Sequence, residues 1–243
     1  MRKAVQRILN KYCQKRLEKT LPGINAEMAA YRRKSETTGT QFITLWLTVK
    51  GILREKPVHI LESGTGLSTI VLAALVQKMR KDDPRYQGAI VSMESVDAWY
   101  DIAQSIFPDK YRDVVEIVLG PREKFEMGFF RGYCRSNIPE RDYSFVLLDA
   151  PDFTDEFGVA SCSDVFRIME MSNAPQIHGV VDGRAGSVFV MQALFGTAAA
   201  RYYHGLFAAS FTVPNIDVHD KLLNTPKDYR CSPNGRLHFV KYR

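Results

Sequence analysis

Val58-His-Ile-Leu-Glu-Ser-Gly-Thr-Gly-Leu-Ser-Thr-Ile-Val-Leu-Ala-Ala-Leu-Val76 is the stretch that decides the fold. β-formers (Val58, Ile60, Leu61) run into a turn holding Gly64 and Gly66. Ser68 and Thr69 then open an apolar segment, 70–76, rich in helix formers. The pattern predicts a strand, a glycine turn and a helix in direct succession. Such a turn lets backbone approach a ligand closely, and the free N–H groups at the helix start point at the same place. A dinucleotide fingerprint would need glycine where Thr69 stands, and no Gly-Lys-Ser/Thr phosphate loop is present. Glu62, at the strand end, would repel a pyrophosphate but suits a ligand carrying an ammonium and a sulfonium group. The cation to consider is S-adenosylmethionine (SAM).

Glu62-Ser63-Gly64-Thr65-Gly66-Leu67-Ser68-Thr69 resembles motif I of the class I SAM-dependent methyltransferases, in the variant with Ser-Thr in place of a third glycine. Downstream residues fit the same pattern. Ala89–Met93 reads as a second strand delivering Glu94, an acid placed to accept both ribose hydroxyls, with Ser95 beside the adenine. The third strand, 114–119, ends at Gly120-Pro121, a turn expected to pass near the adenine. Residues 143–148 form a continuous apolar strand delivering Asp149-Ala150-Pro151-Asp152, and 179–181 a fifth ending in Asp182-Gly183.

The resemblance implies one α/β, Rossmann-like, doubly wound sheet of seven strands in the order 3-2-1-4-5-7-6. It is mostly parallel, with an antiparallel C-terminal strand, and is preceded by N-terminal helices. The last two strands are placed at 206–213 and 236–242, after a helix at 188–202. SAM is expected at Glu62, Gly64, Thr65, Gly66, Ser68, Thr69, Glu94, Ser95, Gly120 and Asp149. Asp149, Asp152 and Asp182 are the candidate catalytic bases, acting on an acceptor that is a small-molecule hydroxyl. A non-catalytic SAM-binding protein is the alternative; a nicotinamide oxidoreductase is disfavoured by Glu62 and Thr69. No metal is expected, because Gly183 stands where the Mg²⁺-dependent branch of the family has asparagine and Asp152 where it has lysine. Ala150 and Asp152 also depart from the Asp/Asn-Pro-Pro-Tyr/Phe signature of base N-methylases.

Composition fits one globular domain: 243 residues, 45% hydrophobic, 25% charged. No apolar run is long enough for a membrane span or a secretory signal, so a cytoplasmic protein is expected. Four scattered cysteines form no CxxC pair and read as reduced thiols.

The net charge of +6 is uneven. Residues 1–34 hold ten Lys or Arg against Glu18 and Glu27, net +8, leaving −2 for the rest. The charge sets apart a basic helical extension, 1–37, and the resemblance covers 38–243, which it implies is a SAM-dependent methyltransferase domain. The first helix is read with Val5, Ile8, Leu9, Tyr12 and Leu17 on its inner face. It is expected to be dispensable for SAM binding, and a nucleic-acid or other anionic contact through it is not favoured over a solvated surface. Thr38-Gly39-Thr40 is read as the cap of the next helix, whose apolar side carries Phe42, Leu45, Trp46, Val49 and Leu53.

Overall fold

A computed structural model of the chain describes residues 2–35, 41–127, 130–149, 154–155, 158–159, 161–203 and 206–216. Helices α1 (Arg2–Thr20), α2 (Ile24–Arg32) and α3 (Phe42–Glu55) lead into β1 (His59–Ser63), α4 (Leu67–Asp82), β2 (Ala89–Glu94), α5 (Asp97–Ile106) and β3 (Val115–Leu119). A hairpin of β4 (Arg122–Met127) and β5 (Phe130–Arg135) precedes β6 (Tyr143–Leu148). Then come three short strands, β7 (Thr154–Asp155), β8 (Gly158–Val159) and β9 (Ser161–Cys162), and α6 (Asp164–Met169). The chain continues through β10 (Gln176–Asp182), α7 (Ala185–Phe195), β11 (Ala200–Tyr203) and β12 (Ala208–Pro214).

Seven strands make the main sheet in the order β3-β2-β1-β6-β10-β12-β11. Counted within that sheet this is 3-2-1-4-5-7-6, the order expected. β12 runs antiparallel to both neighbours while β1, β2, β3, β6 and β10 are parallel. The order reverses at β1, so the carboxyl ends of β1, β2 and β6 open a crevice there, the place where doubly wound sheets bind ligands.

Alternation along the strands buries both faces. Ile60, Ile90, Phe145 and Leu147 join the core beneath α2, α3 and α4, while Leu61, Val91, Val146 and Leu148 join the core against α6 and α7. α3 lies close on the sheet: a Cβ on Gly51 would stand 2.6 Å from the Phe145 ring.

Five expectations are corrected. The antiparallel pair is β11 with β12 at 200–203 and 208–214, and the strand placed at 236–242 lies outside the described residues. The helix expected over 188–202 ends at Phe195, because Gly196 (φ +89°) takes a backbone conformation that favours glycine and releases 200–203 to the sheet. The N-cap of α3 is Gln41, and Thr38 and Thr40 lie outside the described residues.

The inner face of α1 is also different: Cys13 and Leu17 are buried and Leu9 half-buried, whereas Val5, Ile8 and Tyr12 face solvent. Leu17, Leu21, Ile24, Met28 and Tyr31 pack in the same core as Leu45, Val49 and Leu75. On α3, Ile43, Thr44 and Ile52 are buried and Leu53 is exposed, a rotation of the expected apolar face.

Candidate functional site

Gly64 (φ +113°) turns the chain out of β1 in a conformation that only glycine enters cheaply, and its N–H donates to the Met93 carbonyl (2.9 Å). The turn is thereby tied to the end of β2. Gly66 N–H donates to Thr69 Oγ1 (2.9 Å), closing the first turn of α4.

Beneath this turn lies Glu62, fully buried. Thr69 Oγ1 and Ser92 Oγ each donate to Glu62 Oε2 at 2.6 Å, and Thr65 Oγ1 stands 2.9 Å from Ser92 Oγ. Since Ser92 spends its single proton on Glu62, Thr65 donates to Ser92. Among the described residues Glu62 Oε1 has no hydrogen-bond partner. Burial pushes the Glu62 carboxyl up to about 7; hydrogen bonds from Ser68, Ser92 and Thr69 and the charge of Arg135 pull it only partly back. Ser68 and Thr69, expected at the cofactor, are directed at Glu62, which they hold for the turn above.

Glu94 ends β2, half-buried, with Oε1 accepting from Ser95 N–H (2.7 Å) and Val96 N–H (3.1 Å). Gly120 N–H donates to the Glu94 carbonyl (2.7 Å), joining the ends of β2 and β3. A Cβ on Gly120 would lie 2.4 Å from the Ser136 carbonyl oxygen and 2.5 Å from Met93 Cε, so packing alone requires glycine there.

Sequence reasoning missed Tyr31. It was assigned to the extension, yet α2 buries its phenol near the site: burial, then the charges of Glu62 and Glu94, push it up to about 12. No local pattern distinguishes it from a packing tyrosine.

Asp149 and Asp182 follow register partners Leu148 and Val181 at the ends of the adjacent strands β6 and β10, about 5 Å apart in backbone terms. Asp149 N–H donates to the Ser63 carbonyl (3.2 Å). Asp182 Oδ1 accepts from Thr44 Oγ1 of α3 (2.5 Å). Asp152 lies outside the described residues. Among those described, no group of three or more His, Cys, Asp and Glu is placed to hold a metal ion.

On the other face of β1 stands a second buried carboxylate that the sequence did not reveal. Asp164 Oδ2 accepts from Ser63 Oγ (2.5 Å) and from Arg135 Nη1 (2.6 Å), and Oδ1 accepts from Arg135 N–H (2.7 Å). Arg135 and Asp164 are both fully buried. Cys134 and Cys162 lie in the same layer, their thiols pushed above the ordinary range first by burial and then by the charge of Asp164. Among the described residues Cys13, Cys134 and Cys162 are free and buried, the state in which thiols are unreactive. A separate surface cavity of about 470 Å³, lined by Leu21, Ile24, Glu27, Lys78 and Tyr111, lies toward the far end of α4 from the glycine turn.

No protein-family model and no curated protein matches the sequence. Among solved structures, the chain is similar to the SAH-bound Podospora anserina methyltransferase PaMTH1 at 17% identity and a TM-score of 0.48, over 79% of this chain and 72% of that one. It is similar to a SAM-dependent methyltransferase from Aquifex aeolicus at 12% identity and a TM-score of 0.41, over 69% and 89%. A third likeness is to the plantazolicin methyltransferase BpumL in complex with SAH, at 11% identity and a TM-score of 0.29, over 90% and 70%.

Proposed function

We propose that the protein is a SAM-dependent methyltransferase acting on a small-molecule hydroxyl. The observation that carries the reading is Glu62 Oε1, a buried carboxylate oxygen without a partner beneath a glycine turn that only a positive φ can make. A buried carboxylate oxygen without a donor is costly, and it fits a ligand bearing an ammonium group. Gly64, Thr65 and Gly66 would hold the amino-acid end of the cofactor, Glu94 and Ser95 its ribose and adenine, and Gly120 the far wall. SAM supplies, when bound, a methyl group already activated on a sulfonium.

The chain's own part is alignment, which can contribute about 7–11 kcal/mol to lowering a barrier, and removal of a proton. Asp182 is the better-supported base: Thr44 fixes its Oδ1, leaving Oδ2 as the oxygen assigned to the acceptor's proton. Asp149, at the end of the neighbouring strand, would orient the acceptor, and Asp152 is kept as a third candidate on the sequence alone.

The test is calorimetry with SAM, SAH and NAD, then methyl transfer with EDTA or added Mg²⁺. We expect SAH to bind, NAD not to, and chelation to leave turnover unchanged. Glu94→Ala should weaken SAH by about 1.5–3 kcal/mol, the scale of hydrogen bonds to a charged group. Unchanged SAH affinity in a folded Glu94→Ala protein would remove the ribose assignment. Tight SAH binding with no turnover on any hydroxyl acceptor would favour the non-catalytic alternative.

A further inference from the structure

Helix α1 carries a feature that methyl transfer does not use. Val5, Ile8 and Tyr12 recur at i, i+3 and i+7, a single stripe along the helix, and they are 49%, 67% and 55% exposed. The opposite side of the helix is packed: Cys13 and Leu17 are buried, Asn10 Oδ1 accepts from Ile43 N–H (3.1 Å), and Gln6 Nε2 donates to Gln41 Oε1 (3.1 Å). The stripe is therefore left facing outward by a helix whose seat on the domain is already filled.

Its surroundings are cationic. Lys11, Lys15 and Lys19 form an exposed row at four-residue spacing beside and beyond the stripe, with Arg7 and Arg16 also exposed. Counting the whole helix, seven Lys or Arg stand against one acid, net +6. That acid, Glu18, is engaged elsewhere, accepting from Gly23 N–H (2.6 Å) and Asn25 N–H (3.0 Å) at the start of α2.

A further apolar group belongs to the same region. Leu206, in the connection between β11 and β12, packs in one small cluster with Leu9 and Cys13 of α1. The next residue, Phe207, is 52% exposed and is held at φ +50°, a conformation unfavourable for a bulky side chain. Phe207 directly precedes Ala208, which pairs with Asp182, so it stands at the edge of the sheet where the candidate site lies.

We infer that α1 and Phe207 dock the protein on an anionic phospholipid surface. Val5, Ile8, Tyr12 and Phe207 would enter the headgroup boundary while the lysine row meets lipid phosphates and carboxylates. A surface both apolar and acidic is what this face complements. A nucleic-acid backbone would satisfy the cations and leave the apolar stripe in water. A second copy of α1 would set +6 against +6 with no acid to pair. Docking of this kind inserts side chains only, in keeping with the observation that among the described residues no helix is long and apolar enough to cross a membrane.

The experiment is co-sedimentation of the full chain with vesicles of phosphatidylcholine alone or with 30 mol% phosphatidylserine, which needs neither cofactor nor acceptor and so stands or falls apart from the methyltransferase reading. We expect binding to the phosphatidylserine vesicles, at least ten-fold weaker binding to phosphatidylcholine alone, and further weakening with salt. Ile8→Ser/Tyr12→Ser and Lys11→Ser/Lys15→Ser should each reduce binding at least ten-fold with unchanged melting temperature, since all four side chains are exposed. The inference is overturned if wild type stays in the supernatant, or if the Ile8→Ser/Tyr12→Ser protein binds as well as wild type. It is equally overturned if an RNA or DNA duplex is bound more tightly than vesicles, or if sedimentation velocity shows a dimer that this variant dissolves.

Discussion

Glu62, on β1, and Asp164, at the start of α6, are both fully buried carboxylates beside the end of β1, the first on its α4 face and the second bound to Ser63 on the opposite face. They differ in how their oxygens are used. Both oxygens of Asp164 are occupied, and one contacts a guanidinium 2.6 Å away. Glu62 has only hydroxyl donors: Thr69 and Ser92 both meet Oε2, and among the described residues Oε1 has no hydrogen-bond partner. A carboxylate completed by its own fold is a structural tie. One left incomplete at the sheet's switch point can accept one more donor, which is the role the proposed function gives it.

The largest effect should come from breaking the completed tie. Arg135→Met strands Asp164 in the interior and should cost about 3–5 kcal/mol of stability, read by thermal or urea unfolding. Pairing it with Asp164→Leu should recover only part of that loss: the buried charge is gone, but Ser63 Oγ and the Arg135 N–H lose their acceptor. If Arg135→Met were neutral, the contrast between the two acids would collapse.

Glu62 should respond to pH instead. Its folded carboxyl is raised to about 7 from an ordinary 4.5, so folding favours the protonated form. The stabilisation is fully present below about pH 4.5 and is lost as pH rises through 7, amounting to about 3 kcal/mol. Unfolding free energies measured from pH 4.5 to 8 should show that decline superimposed on the other titrations, and Glu62→Gln should flatten it. A Glu62→Gln protein with the wild-type slope would show that the group is not titrating as described.

Ligand binding gives a somewhat smaller effect of the opposite sign. Pairing with an ammonium requires ionised Glu62, so SAH affinity should rise as pH increases through 7, and Glu62→Gln should weaken SAH by about 1.5–3 kcal/mol near neutral pH while leaving the fold intact. Calorimetry at pH 6, 7 and 8 on both proteins tests this; flat wild-type affinity would return Glu62 to a purely structural role. The smallest effect belongs to an exposed carboxylate. Asp82, paired with Lys78 on the surface of α4, should cost at most about 0.5 kcal/mol as Asp82→Ala.

How much of this was legible depended on how local the information is. The β1-turn-α4 unit could be read because the β-formers, glycines and helix start lie within 58–76, and Glu94 because it ends the next strand. The Arg135–Asp164 tie could not: its members are 29 residues apart and meet only because the hairpin of β4 and β5 pairs with β9. The outward stripe on α1 was misassigned inward because apolar residues lie on more than one side of the helix, and tertiary packing selected the side holding Cys13 and Leu17. The β11–β12 pair was misplaced although Gly196 carried the signal, since the apolar pattern of α7 runs on into Ala198–Ala200.

The bond between β1 and β6 also sets an order of events in time. Ile60 pairs with Phe145, 85 residues later, so the strand carrying the glycine turn has an unpaired edge until β6 has been synthesised and has closed that distance. Non-local parallel pairing of this kind forms slowly. A nascent or truncated chain ending before residue 143 would thus carry the glycine turn and Glu94 and still present a bare, apolar strand edge, prone to aggregate.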